Sequence, residues 1–231
     1  MNYMMAVAEI QKRLQMHNAL IDKTIAFVQQ KLSKAEAGHD WFHVERVWKN
    51  ALLILKTEPA NTLVVELAAL LHDIADSKFH RGDEELGPQM AQQFLSAQHA
   101  DPETIDHVIH IIRNMSFKSS LEPTYFTSKE MEIVQDADRL DAIGAIGIAR
   151  AFHYGGFKNH LIYAPHIPPQ KNQSKESYKN STAPTINHFY EKLLLLKDKM
   201  NTTAAKKIAA ERHLYMEGFL AQFYAEWEGR K

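Results

Sequence analysis

Apolar residues recur at intervals of three and four along most of this chain of 231 residues. This spacing constrains the fold more than any other feature, because it places apolar side chains on one face of an α-helix. The pattern is clearest between Val44 and Leu55 and between Ile105 and Met115. No β-hairpin signal or internal repeat accompanies it, so the sequence predicts an all-α fold.

Helix starts support this prediction. Asp40 occupies the N-cap position before WFHVERVW, and Asp101 is followed by Pro102 at the first helical position. The predicted helices span residues 4–31, 40–56, 62–75, 84–98, 102–115, 128–153, 185–199 and 203–227.

Residues 158–184 break the helical pattern. Four prolines are mixed here with lysine, asparagine and serine, and no apolar stripe is present. We predict a long loop, which is either an inert insertion or a lid over an active site. Amphipathic spacing then returns in residues 185–228, so we expect one domain spanning 1–231, with these C-terminal helices packed on the helical body.

Charge and composition limit the partners. The net charge is −1 and the pI is near 6.9. The chain therefore lacks the excess of positive charge on which binding to nucleic-acid polymers depends. We therefore expect a small-molecule ligand. The N-terminal sequence has no signal-peptide pattern, and no run approaches the roughly 18 apolar residues of a membrane span, so we expect a soluble, cytoplasmic protein. The sequence does not indicate an oligomeric state.

The chain has no cysteine and thirteen histidines, so any metal must be bound by histidine and carboxylate. Four segments place histidine or aspartate in clusters: GHDWFH, LLHDIAD, HVIH and QDADRLDA. His39 and His43 lie one helical turn apart and can face one ion. His72 and Asp73 end a very apolar run, where ionisable groups are rare unless they are paired or bound to a metal.

Each segment also has a simple structural explanation. His39 with Asp40 is a helix start, and His107 and His110 can be ordinary half-buried histidines. In QDADRLDA, Asp138 and Asp141 share a helix face from which Asp136 points away, and Asp136 or Asp141 can pair with Arg139 or Lys129. Taken together, however, the segments supply four nitrogen and oxygen ligands, a set that suits a transition metal.

Three of the segments, HVERV, LLHDIAD and DADRLDAIGA, occur in an order that resembles the HD-domain superfamily of metal-dependent phosphohydrolases. Its H…HD…D pattern maps onto His43, His72, Asp73 and Asp138 as metal ligands. The resemblance covers about residues 38–150, and the tail resembles a stand-alone bacterial branch. It implies an HD-domain helical bundle with additional C-terminal helices.

The resemblance also narrows the chemistry. The chain has neither the GYP motif of cyclic-di-GMP phosphodiesterases nor the companion domains of (p)ppGpp enzymes. His107 and His110 do not have a convincing spacing for a second metal, so we expect one divalent ion. Two histidine ligands favour Mn, Fe, Co, Ni or Zn over Mg.

The predicted reaction is hydrolysis of a phosphorylated small molecule, a nucleotide, at a phosphomonoester, phosphodiester or α,β-pyrophosphate bond. The catalytic carboxylates are Asp73, as a ligand, and Asp76, which lies about one turn later and can hold or deprotonate a water. Phosphate also needs cationic contacts. The candidate substrate contacts are Arg46, Lys78, Asn114 and Lys118, with Phe117 as a further candidate for the sugar or base.

Two alternatives remain open. His39-Asp-Trp-Phe-His43 has the spacing of the HExxH helix of zinc peptidases, with the shorter Asp in place of Glu. That hypothesis leaves His72 and Asp73 unexplained. The other alternative is a non-catalytic, metal-containing protein that senses a nucleotide.

Overall fold

The computed structural model describes residues 2–33, 40–75, 83, 85–115, 126–170 and 182–231. Its described residues form α-helices, one 3-10 helix and connecting turns, without strands, so the predicted all-α fold is confirmed. The α-helices are α1 (Asn2–Lys31), α2 (Trp41–Leu55), α3 (Thr62–Leu71), α4 (Leu86–Ala97), α5 (Pro102–Asn114), α6 (Lys129–Asp141), α7 (Gly144–Phe157), α8 (Thr185–Glu191) and α9 (Thr203–Trp227). The 3-10 helix spans Leu193–Lys199. None of the described helices is long and apolar enough to cross a membrane.

The chain divides into two compact units, residues 1–135 and 136–231, and the boundary falls within α6. In the first unit, α3 is the central helix and contacts α1, α2 and α5. Eight of its ten residues are buried, which explains why TLVVELAALL shows almost no polar face.

Local capping fixes where these helices begin. The Asp40 carboxylate accepts a hydrogen bond from the His43 backbone N–H at 3.0 Å, and Asp101 caps α5, with Pro102 in its first turn. Both predicted N-caps are confirmed. Asn61 caps α3 by accepting from the Val64 N–H. Such caps satisfy backbone donors that have no partner within the helix.

The second unit contains α7, α8, the 3-10 helix and α9, and α9 contacts α7 and the 3-10 helix. The core of this unit includes Phe189, Ile186 and Met216. The described parts of the predicted loop, 158–170 and 182–184, contain no helix.

Two predicted helices differ from the structure. Residues 128–153 form two helices instead of one, because the chain turns at Ala142 and Ile143 and Gly144 adopts a φ of +74°. Residues 185–199 form α8 followed by a 3-10 helix. The periodicity of apolar residues continues across both breaks, so it did not reveal them.

Candidate metal centre

Two histidines and one aspartate of the first unit bring their ligand atoms together. One ligand atom from each of His43, His72 and Asp73 lies within 4.8 Å of the other two. His43 Nε2 is 4.0 Å from Asp73 Oδ2, and the two imidazole rings have centroids 5.5 Å apart at 70°. Across the described part of the chain, no other three histidine or acidic residues converge in this way.

The first helical turn of α2 positions His43. Its backbone N–H is held by the N-cap carboxylate of Asp40, and its side chain is only 4% exposed. The imidazole is therefore fixed at the beginning of the helix, inside the protein.

His72 follows the last residue of α3, and its ring is oriented by its own backbone. Its Nδ1 lies 2.8 Å from the carbonyl oxygen of Ala69. A carbonyl only accepts hydrogen bonds, so Nδ1 carries the proton and Nε2 carries the lone pair. This is the arrangement that metal-binding histidines use, in which the outer ring nitrogen donates to a carbonyl or carboxylate.

The spacing of these donors fits a metal ion. With metal–ligand bonds of about 2.0–2.2 Å, two ligands are about 3 Å apart at right angles and about 4.2 Å apart on opposite sides. The 4.0 Å between His43 and Asp73 lies within this range. Two neutral nitrogens and one carboxylate oxygen suit a divalent transition metal.

Asp138, the fourth predicted ligand, belongs to the second unit and is half-buried on α6. It is not part of the three-residue group, and its role as a ligand stays a prediction. The two neighbouring aspartates have structural partners. Asp136 accepts hydrogen bonds from the Thr202 N–H and hydroxyl at 2.7 and 2.8 Å, and Asp141 forms an ion pair with Arg150.

Comparisons with known proteins agree with this geometry. The family model of the HD domain matches residues 41–143. The crystal structure of an HD-superfamily hydrolase from Bacillus thuringiensis is 46% identical, with a TM-score of 0.73 over 92% of this chain and 98% of that one. The chain belongs to the HD-domain superfamily. The predicted helical bundle with additional C-terminal helices is thereby confirmed.

A second bacterial relative of this HD protein is similar over most of its length. The uncharacterized protein YpgQ of Bacillus subtilis strain 168 is 41% identical over 207 residues, which cover 88% of this chain and 91% of YpgQ. The crystal structure of YpgQ in complex with ADP aligns with a TM-score of 0.72 and 36% identity, over 91% of this chain and 96% of that one. That relative therefore binds a nucleoside diphosphate.

Other histidines of this HD protein have different partners. His107 Nε2 lies 3.0 Å from the Ser128 hydroxyl and 3.6 Å from a Glu130 carboxylate oxygen. The ring of His110 stacks on Phe126 with centroids 5.2 Å apart. Neither histidine belongs to the metal group.

The predicted substrate contacts are only partly described. Arg46 is half-buried on α2, one turn after His43. Asn114 ends α5 and donates its amide to the His110 carbonyl at 2.8 Å. Asp76, Lys78, Lys118, Phe117 and His39 lie outside the described residues, so their roles stay predictions.

Sequence reasoning missed a buried carboxylate on the helix that precedes His72. Glu66, on α3, is 7% exposed. It accepts a hydrogen bond from the Trp48 indole N–H at 3.0 Å and lies 2.5 Å from His17 Nε2. These contacts connect α1, α2 and α3. The sequence does carry a signal for this role. Glu66 is the single acidic residue within the apolar run TLVVELAALL, and a buried carboxylate needs partners.

Proposed function

We propose that this HD protein is a metal-dependent phosphohydrolase acting on a phosphorylated small molecule, most simply a nucleotide. The observation that carries this proposal is the convergence of His43, His72 and Asp73, with Nε2 of His72 available as a lone-pair donor. The ADP complex of YpgQ supports a nucleotide as the ligand.

The roles follow from the chemistry of each side chain. His43, His72, Asp73 and, from the sequence pattern, Asp138 hold one divalent ion, for which Mn, Fe, Co, Ni or Zn suits the ligands better than Mg. A bound ion lowers the pKa of water and neutralises charge at phosphorus. Asp76 is proposed to take the proton from the attacking water.

Substrate phosphate requires further positive charge. We assign this to Arg46, Lys78 and Lys118, because guanidinium and ammonium groups donate to phosphate oxygens. Asn114 is proposed to contact the sugar or base.

A product-resolved screen tests the function. Mn-loaded protein is incubated with nucleoside mono-, di- and triphosphates, cyclic nucleotides and an aryl phosphate, with Asp73→Ala as the blank. Turnover that the blank lacks is expected, and the release of phosphate or pyrophosphate identifies the bond that is cut. If ADP binds but no phosphate compound is hydrolysed, the hydrolase proposal is wrong and the sensor alternative replaces it.

The peptidase alternative has its own test. His39→Ala would destroy an HExxH-type site, whereas the HD site does not use His39. Retention of metal binding by His39→Ala argues for the HD site, in agreement with membership of the superfamily.

A further inference from the structure

The second unit contains a cavity of about 320 Å³ that shares no residue with the metal group. It lies between the proline-rich segment after α7 and helices α8 and α9. Its lining residues are Tyr163, Pro165, Ile167, Pro168, Pro169, Asn187, Tyr190 and Tyr224. Small-molecule sites occupy roughly 300 to 1,000 Å³, so the cavity has room for a small ligand.

Hydrogen bonds hold the proline-rich wall in place. The buried amide of Asn187 donates to the Ile167 carbonyl at 3.0 Å, and the Ile167 N–H donates to the Ala164 carbonyl at 3.0 Å. At the end of the wall, the Gln170 N–H donates to the Glu191 carboxylate at 2.9 Å. This part of the predicted loop is therefore an ordered surface attached to α8.

Three tyrosines also line the cavity. The ring of Tyr163 meets that of Tyr224 edge to face, with centroids 5.4 Å apart, and meets Trp227 in the same way at 5.0 Å. Burial and a side-chain hydrogen bond with Tyr190 raise the pKa of Tyr224. The Tyr224 hydroxyl is therefore a neutral group that can donate and accept hydrogen bonds.

The lining selects the chemistry of the ligand. None of the described lining residues is charged, so nothing in the wall compensates a phosphate or an ammonium group. Proline rings and tyrosine faces instead offer flat apolar surfaces, and the hydroxyls can bond to polar atoms at the edge of a ring. Aromatic faces of this kind stack on nucleobases with little regard to sequence.

We propose that this cavity binds a flat, uncharged heteroaromatic ring of the nucleobase type, without requiring phosphate or metal. The ring belongs either to a nucleotide, in which case the inference rests on the proposed function, or to a free nucleoside. The two sources share the same ring chemistry, and the experiment below separates them.

Saturation-transfer NMR with adenosine and thymidine, on full-length protein treated with EDTA, tests the pocket. Saturation of base protons is expected, with none on free ribose. Ile167→Trp places a larger side chain in the cavity wall and is expected to weaken binding by about tenfold or more, the loss expected when a stacking site is blocked. Because this variant carries a large side chain, Tyr190→Phe is a milder second test, expected to weaken binding several-fold. Tyr154→Phe, at an exposed tyrosine outside the cavity, is the matched control.

The proposal is overturned if neither nucleoside is saturated, or if Ile167→Trp and Tyr190→Phe both bind as the wild type does. Binding of a proline-rich peptide in place of nucleosides also overturns it. With the metal-loaded protein, competitive inhibition of nucleotide turnover by adenosine identifies the ring as that of the substrate. Binding without inhibition identifies a free nucleoside. The EDTA experiment does not depend on turnover, so its failure is separate from failure of the proposed hydrolase.

Discussion

The proton on Nδ1 of His72 decides which nitrogen of this ring can bind a metal. The Ala69 carbonyl, one turn earlier in the chain, accepts a hydrogen bond from that N–H, so the last turn of α3 sets the tautomer of the ligand that follows it. The cap at the start of α2 instead holds the backbone N–H of His43. Each of the two imidazoles thus lies at a helix end.

The three grouped residues are expected to act as a unit. His72→Ala or Asp73→Ala removes a ligand, so we expect metal binding and phosphohydrolase activity to be lost together. Calorimetric titration with Mn²⁺ measures the first, and the product screen measures the second. His39→Ala is the control and should bind Mn²⁺ as the wild type does. Unchanged Mn²⁺ affinity in both ligand variants would rule out this metal centre.

Asp76 is expected to separate metal binding from turnover. Asp76→Ala should bind Mn²⁺ with nearly wild-type affinity and lose about 10²- to 10⁴-fold in kcat, which is the usual contribution of a general base. Single-turnover kinetics at saturating substrate measure this loss. Full activity in Asp76→Ala would remove the residue from the mechanism.

His188 is expected to make stability depend on pH. Burial, and then the charges of Lys192 and His160, lower the pKa of His188 from 6.5 to about 4. Between these values the unfolded chain binds a proton at His188 that the folded chain excludes, so the free energy of unfolding falls as the pH drops from 6.5 towards 4.

Urea unfolding at several pH values tests this dependence. His188→Gln should show a shallower loss of stability across that window than the wild type, whereas His166→Gln, at an exposed histidine, is the matched control. Equal slopes in the wild type and His188→Gln would contradict the prediction.

At the scale of helices, the sequence predicted which segments are helical better than where the helix axis changes. Apolar spacing and caps identified α2 and α5 with their starts. The break before α7 depends on Gly144, whose φ of +74° suits glycine. A Cβ at this position would lie 2.9 Å from Cγ of Arg212. That contact joins residues distant in sequence, so local periodicity could not predict it.

The same limit applies to the site. The resemblance of the His, His-Asp and Asp motifs to the HD-domain pattern predicted His43, His72 and Asp73 as ligands, and their ligand atoms lie together in the structure. The hydrogen bond that orients His72 involves a backbone carbonyl, which leaves no mark in the residue types. The partners of Glu66 lie on two other helices, so the apolar run alone could show that partners are needed but not which ones.

Two adjacent glycines of α7 are expected to respond oppositely to alanine. A Cβ at Gly155 would lie 2.1 Å from the Thr185 hydroxyl oxygen, whereas a Cβ at Gly156 meets nothing within 4 Å. Gly155→Ala should lower the free energy of unfolding by about 1–3 kcal/mol through overpacking. Gly156→Ala should raise it by up to roughly 0.5–1 kcal/mol through helix propensity. Chemical denaturation measures both, and equal effects would show that the α7–α8 packing is looser than described.

At the scale of the whole molecule, a metal bound by the folded chain alone must stabilise it. At a free concentration 100 times the dissociation constant, this linkage amounts to about 2.7 kcal/mol. We therefore expect Mn²⁺ to raise the Tm of the wild type by several degrees and to leave that of Asp73→Ala unchanged. Thermal scans with and without Mn²⁺ measure this, and an equal shift in both proteins would indicate binding elsewhere.

The contacts of Asp136 bear on how the length of this chain can vary. Its carboxylate is hydrogen-bonded to Thr202, 66 residues later, so this contact closes a loop of that length. The entropy of closing a flexible loop grows with the logarithm of its length, and even doubling the length costs only about 0.6 kcal/mol. A change in the number of residues between Asp136 and Thr202 therefore alters the cost of forming this contact little.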